Sequence, residues 1–287
     1  MPSQNIQWFP GHMARTRRLI SENLKNVDAV IELLDARIPY SSKNPEISRI
    51  CAEKPSIILL NKAALADPVC TKEWAKKLSN DRTVCIETDC VSGTGLSQIS
   101  PALRKLCEEK LNRYEEKGMT GRSLKAMVLG IPNVGKSSLI NKLCGNKKAK
   151  VENRPGVTLD KQWVSTNIGI LLLDMPGILW PKFEEQAVGE NLAITGAIKD
   201  DVLDVETIAC MLCGRLRTLY PHLLSERYQL GSLPSFEEMD DYDLLCQIGR
   251  KRGFLISGGE VNTERTANML LDEFRAAKIG RITLDRI

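Results

Sequence analysis

"AMVLGIPNVGKSSLINKLCG", residues 126–145, decides how the rest of the chain is read. An apolar run leads into Gly130-Ile131-Pro132-Asn133-Val134-Gly135-Lys136-Ser137, and a helix-forming stretch follows at once. This is G-x-x-x-x-G-K-[ST] in the setting that gives it meaning, after a strand and before a helix. Glycines let backbone N–H groups wrap phosphate oxygens, and the helix N-terminus adds partial positive charge. Lys136 can reach the outer phosphates, and the Ser137 hydroxyl can ligate Mg²⁺. The expectation is a nucleoside triphosphate held by Asn133, Val134, Gly135, Lys136, Ser137 and Ser138, with Lys136 also assisting the reaction.

Two pieces follow downstream. "RPGVT" (154–158) offers Thr158 to complete a magnesium shell, and "LLLDMPG" (171–177) places Asp174 at a strand end with Gly177 three residues later. That is D-x-x-G: an acid on a magnesium-bound water, then a backbone N–H for the third phosphate. The other pieces lie upstream. "IILLNKAALADP" (57–68) ends an apolar run in Asn61-Lys62, the first half of the Asn-Lys-x-Asp that reads guanine, but the fourth position is Ala64. "TDCVSGTGL" (88–96) follows the next apolar run and serves as the loop backing the base, with Asp89 and Cys90 where small polar residues are usual. The chain thus runs base reader, backing loop, phosphate loop, then the two segments that answer to the third phosphate. A circular permutation yields that order without altering the sheet.

The apolar runs 29–36, 56–61, 83–88, 125–131 and 168–175 read as buried parallel strands, with 162–166 as an edge strand. Charged amphipathic stretches separate them, which implies an α/β fold with a mostly parallel sheet covered on both faces. "LRKLCEEKLNRYEEKG" (103–118) reads as one surface helix joining the two halves of the permuted sheet. After Pro181 the strand signal stops. The expected organisation is a permuted domain over 1–180 and an all-helical one over 181–287.

Bulk properties exclude other classes. The 287 residues are 43% hydrophobic and 26% charged, ordinary for a globular chain. No apolar run approaches the roughly 18 residues of a membrane span, and the N-terminus lacks the apolar core of a secretory signal, so a cytoplasmic protein is expected. Nine scattered cysteines read as reduced, and Cys210 with Cys213 as a helix face. Net charge is +4, but residues 200–249 hold ten acidic against three basic side chains, with basic clusters outside them. Such local basic patches suit nucleic acid, because phosphate contacts supply most non-specific affinity.

The motif order, with "WFPGHM" (8–13), "DARIP" (35–39) and "DMPGILWPKFE" (174–184), resembles the bacterial ribosome biogenesis GTPase A (RbgA/YlqF) family over essentially the whole chain. The resemblance implies a permuted GTPase domain, a C-terminal helical domain, and a monomer acting in late assembly of the large ribosomal subunit by binding its precursor and rRNA. It also implies a catalytic role for His12. That matters because Ile178 stands where a water-orienting Gln follows D-x-x-G in other GTPases, and it cannot hydrogen-bond. Asn133 leaves open a potassium ion beside the phosphates. For rRNA phosphates the expected contacts are Arg15, Arg17, Arg18, Arg250, Lys251 and Arg252.

Ala64 is the main departure. An acid there accepts hydrogen bonds from guanine, and its loss removes charge-assisted bonds worth roughly 1.5–3 kcal/mol each. Asp67 lies further along but at the wrong spacing. Three outcomes stay open: a GTPase with weakened guanine selectivity, a variant altered at this position, or a nucleotide-gated rRNA-binding module that hydrolyses poorly. Ala64 also opens the possibility of an unrelated ATPase.

Overall fold

The computed structural model describes residues 11–119, 121–145, 162–200, 203–231 and 239–287; the side chains of Gly11, His12 and Gln162 are outside that description. Six strands form one sheet: β1 (Ala29–Asp35), β2 (Ser56–Asn61), β3 (Thr83–Glu87), β4 (Leu124–Gly130), β5 (Gln162–Ser165) and β6 (Ile170–Asp174), in the order β3-β2-β1-β4-β6-β5. All neighbours are parallel except β5, which runs antiparallel to β6 at the edge. The expected strands therefore form within a residue or two of their sequence limits.

The central strands show why. All seven residues of β1 are buried. Successive side chains of a strand point to opposite faces, and here each face has its own core. Ile57 and Leu59 join the larger apolar cluster, while Ile58 and Leu60 join a smaller one with Leu34, Cys70 and Trp74. A strand buried on both sides has no polar face, so its sequence reads as a continuous apolar run.

Helices α1 (Gly11–Asn23), α2 (Pro45–Ile50), α3 (Pro68–Leu78), α4 (Ile99–Leu106), α5 (Glu108–Glu116) and α6 (Lys136–Cys144) accompany the sheet. The stretch expected as one helix is two, α4 and α5, broken at Cys107, whose backbone sits at φ −107° and ψ 14°. Cys107 is buried, while Arg104 and Lys105 before it and Glu108 and Glu109 after it are charged.

Beyond the sheet, α7 (Gln186–Ile194), α8 (Val205–Leu219), α9 (Pro221–Tyr228), α10 (Asp241–Lys251) and α11 (Thr263–Arg275) follow, and side chains of Asp204, Asp240 and Asn262 cap the starts of α8, α10 and α11. Among the described residues of this half the only β feature is an isolated bridge between Leu255 and Val261. The core is continuous across position 180: Ile178, Leu179, Trp180 and Phe183 are all buried in the same cluster as the sheet and the helices. The last residues return to the sheet, where the Leu284 amide donates to the Arg37 carbonyl at 2.7 Å. Cys210 and Cys213 lie buried on α8, and all nine cysteines are free.

Candidate nucleotide site

The carboxyl ends of β1, β2, β4 and β6 meet at one edge, and the quoted motifs sit in the loops that leave them. Gly130 ends β4 at φ 149°, and a Cβ there would lie 2.7 Å from the Leu33 carbonyl. Gly135 caps α6 at φ 109° and would drive a Cβ to 2.3 Å from Asn61 Nδ2. At both positions only glycine fits. Ser137 and Ser138 are exposed in the first turn of α6, where the free N–H groups of a helix N-terminus point. Val134 is buried, and Asn133 adopts φ 57°.

Lys136 turns back over its own loop. Its Nζ donates to the carbonyls of Gly130 at 3.2 Å and Ile131 at 2.8 Å. Burial pulls its pKa down to about 8, against the opposing pull of Asp174. The Asp174 carboxyl is in turn pushed up by burial, with Lys136 partly offsetting it. An under-neutralised acid of this kind calls for a cation. Among the described residues no group of three or more His, Cys, Asp or Glu could hold a metal. The donor set fits Mg²⁺ held by the Ser137 hydroxyl, a water on Asp174 and phosphate oxygens, since Mg²⁺ keeps several waters and uses few protein ligands.

The D-x-x-G segment closes on the phosphate loop. A Cβ on Gly177 would approach Pro132 backbone atoms to 2.9 Å and Lys136 Nζ to 3.1 Å, and the Ile178 amide donates to the Gly130 carbonyl at 3.3 Å. Ile178 itself is 1% exposed, so the position offers no polar group and points inward. Next to it, the Leu179 amide donates to Met13 Sδ at 3.4 Å, which brings the start of α1 against this segment. His12 is the second residue of α1, but its side chain lies outside the described residues, as does Thr158 with all of "RPGVT".

Asn61 joins the halves. Its Nδ2 donates to the Val134 carbonyl at 2.7 Å and its Oδ1 accepts the Cys90 amide at 2.9 Å. One side chain therefore ties base reader, phosphate loop and backing loop together. Asp89 turns one carboxylate oxygen to its own loop, where Oδ1 accepts the amides of Val91 and Ser92. Lys62 sits at φ 62° and reaches Asp35 Oδ2 at 2.8 Å. Ala64 is exposed. Asp67 supplies no substitute acid: it caps α3, accepting from Val69 at 2.8 Å and Cys70 at 3.3 Å, and takes the Tyr220 hydroxyl at 3.0 Å.

Several partners escape the sequence. Asn133 Nδ2 donates to the Gly196 carbonyl at 2.8 Å, beyond the end of α7. Arg281 donates to the carbonyls of Ala63 and Ala66, both at 2.8 Å. Asp35 and Arg37 stand in the quoted "DARIP", but no spacing rule marks them as part of the site. Of the six basic residues expected on RNA, Arg15, Arg18, Arg250 and Lys251 are exposed. Arg17 pairs with Glu46 at 3.1 Å. Arg252 is taken up structurally, paired with Glu273 at 3.2 Å and stacked on Tyr228, so it is no free phosphate contact.

A phosphate loop on the fourth strand in sequence, with its base reader on the second, defines a circularly permuted P-loop GTPase. Residues 125–212 match the family described as 50S ribosome-binding GTPase. The Bacillus pumilus protein named ribosome biogenesis GTPase A is 45% identical over 98% of both chains. The mouse mitochondrial ribosome-associated GTPase 1 is 34% identical over 98% of this chain and 90% of its own. The GDP-bound YlqF structure superposes with a TM-score of 0.63 and 25% identity, covering 94% of this chain and 99% of that one. The chain belongs to the ribosome biogenesis GTPase A family, and it is a GTPase.

Proposed function

We propose that this GTPase acts in late assembly of the large ribosomal subunit in the cytoplasm, binding the precursor particle and its rRNA as a monomer and hydrolysing GTP to GDP and phosphate. The observation that carries the reading is the Asn61 bridge. It ties three loops, scattered and permuted in sequence, together at the carboxyl edge of the sheet, the arrangement a guanine nucleotide needs. The names of the relatives supply the ribosomal context.

The mechanism follows from the residues around that edge. The amides of residues 133–138 and the α6 N-terminus bind the phosphates. On arrival of the third phosphate, Lys136 exchanges two backbone carbonyls for phosphate oxygens. Ser137, Asp174 through a water, and Thr158 would hold Mg²⁺, which would supply positive charge against the phosphates. The Gly177 amide meets the third phosphate, and losing that phosphate releases the segment running through Ile178 into α7. With Ile178 buried, no side chain at that position can orient water, so isolated turnover is slow. His12 on α1, beside the Met13–Leu179 contact, is the proposed water-orienting group. Asn133 keeps its carbonyl oxygen for a potassium ion while its amide holds Gly196. The proposed division falls near 180, with Arg15, Arg18, Arg250 and Lys251 as rRNA phosphate contacts.

Phosphate release measured with and without large subunits tests this. The expected result is stimulation by particles and salt-sensitive binding to them. Turnover indifferent to particles, with binding that still follows nucleotide state, would shift the reading to a nucleotide-gated binding module.

A further inference from the structure

The acid missing at position 64 draws attention to the acid that is present nearby. Asp35 ends β1 and pairs in register with Asn61 at the end of β2. Its carboxylate is 4% exposed yet carries two cations. Arg37 grips it from one side, Nε to Oδ1 at 2.9 Å and Nη2 to Oδ2 at 2.7 Å, and the Arg37 amide adds a third bond to Oδ1 at 3.1 Å. Lys62 Nζ takes Oδ2 from the other side at 2.8 Å, with its side chain 23% exposed. Lys62 thus leaves the base-reading loop in a left-handed conformation, with its head fastened across the end of the neighbouring strand.

Arg37 faces the C-terminal half as well. Its guanidinium stacks over Phe274 at 5.6 Å and its Nη1 lies 3.5 Å from the Arg275 carbonyl, while its own carbonyl accepts Leu284. A bidentate Arg–carboxylate pair fixes direction as well as charge, so Asp35 cannot swing with Lys62. The Arg37 share of Asp35 is fixed and buried, whereas the Lys62 share is partly exposed on the side of the base-reading loop.

We propose that Asp35 is a positioning residue for guanine-nucleotide binding: held rigid by Arg37 against the C-terminal half, it pins Lys62 so that the lysine's stem covers the base. This deepens the GTPase reading and rests on Asn61-Lys62 being the base reader. It also accounts for how a site lacking the position-64 acid retains a base-side grip, since covering the ring depends on burial and not on the guanine edge.

The test separates base from phosphates by comparing Mg²⁺-loaded GTP with Mg²⁺-loaded inorganic triphosphate in calorimetry on the full chain. Lys62→Met, which keeps the stem and drops the anchor, is expected to weaken GTP about tenfold, the size of one lost charge-assisted bond. Inorganic triphosphate affinity is expected to stay at the wild-type value, and Lys62→Arg, which can still reach Asp35, to restore most of the GTP affinity. Asp35→Asn should copy Lys62→Met, and the double variant should lose no more than either single one, because the pair acts as a unit. Equal losses for GTP and inorganic triphosphate, additive losses in the double variant, or unchanged GTP affinity in Lys62→Met would each overturn the proposal. Should Asp35→Asn fail to fold with Arg37 left buried beside a neutral group, the two Lys62 variants still decide it. A wild-type chain that binds inorganic triphosphate and GTP equally well refutes the base-reader reading itself, a distinct result.

Discussion

The two halves of the proposed nucleotide site are made differently. The phosphate half is nearly self-contained: nine consecutive residues, Gly130 to Ser138, supply the wrap, the helix terminus and the lysine, and Lys136 even satisfies itself on carbonyls of the same loop. The base half is assembled from afar. Asn61 depends on Val134 and Cys90, Lys62 on Asp35, Asp35 on Arg37, and the loop from Ala63 to Asp67 on Arg281 and Thr283 near the C-terminus. Backbone amides need only local geometry to bind an anion. Reading a purine needs side chains held in place by the tertiary structure. The phosphate half should therefore fail through single residues, and the base half through its supports.

The largest effect should come from the phosphate half. Lys136→Ala removes the side-chain cation proposed to meet the phosphate charge. Single-turnover hydrolysis is expected to fall by roughly 10²–10³-fold, comparable to losing one preorganised donor to a charged transition state. A fall below about tenfold would mean the loop amides and Mg²⁺ suffice, and the contrast between the halves would lose its first term.

Next comes restoration of the base half. Ala64 is exposed and Asp67 is engaged as a helix cap, so Asp67 does not replace the missing acid. Ala64→Asp is expected to tighten GTP by roughly 10- to 100-fold, from 1.5–3 kcal/mol of charge-assisted bonding, and to leave ATP unchanged. If ATP tightens equally, the loop does not face the purine edge.

The difference between the halves also explains what could be read in the sequence. The strands were legible because buried parallel strands carry unbroken apolar runs, as β1 and β2 do, and the phosphate loop because its geometry is local. The base loop was legible only as far as Asn61-Lys62. Nothing in the spacing of Asp35, Arg37 and Arg281 reveals that they converge, since 246 positions separate Asp35 from Arg281 and only the fold joins them. Arg252 shows the converse: it reads as part of a basic patch, yet Glu273 and Tyr228 consume it. Asn133, legible as a loop residue, conceals its link to Gly196 for the same reason.

A pH titration sharpens the phosphate side. Burial lowers Lys136 to about 8 in the nucleotide-free protein, below its ordinary 10.5. Bound phosphates favour the charged form, so affinity should be level below about pH 8. Above it the free lysine is neutral and must take up a proton on binding, weakening GTP by up to about tenfold per pH unit. For folding the sign is opposite. Between about 8 and 10.5 the unfolded chain holds the proton that the native one has lost, so the lysine's contribution to stability rises with pH across that window. Calorimetry in buffers of different ionisation heat should register the uptake at pH 9 and none at pH 7. Equal uptake at both would show that Lys136 is not the group responsible.

The smallest effect should be the most telling about the base half. Arg281 is exposed, yet its guanidinium spans the carbonyls of Ala63 and Ala66, either side of Ala64, while Ile282 donates to the Leu65 carbonyl between them. Arg281→Ala leaves the core untouched and removes two donors from a loop whose other restraints remain. A loss of about 1 kcal/mol, or roughly fivefold in GTP affinity, is expected, with inorganic triphosphate unaffected. A lowered unfolding temperature without that change in affinity would make the C-terminal segment a brace for the fold alone. The expected outcome makes it part of the base site, so that anything pulling the C-terminal helices from the sheet would loosen the purine while leaving the phosphate grip intact.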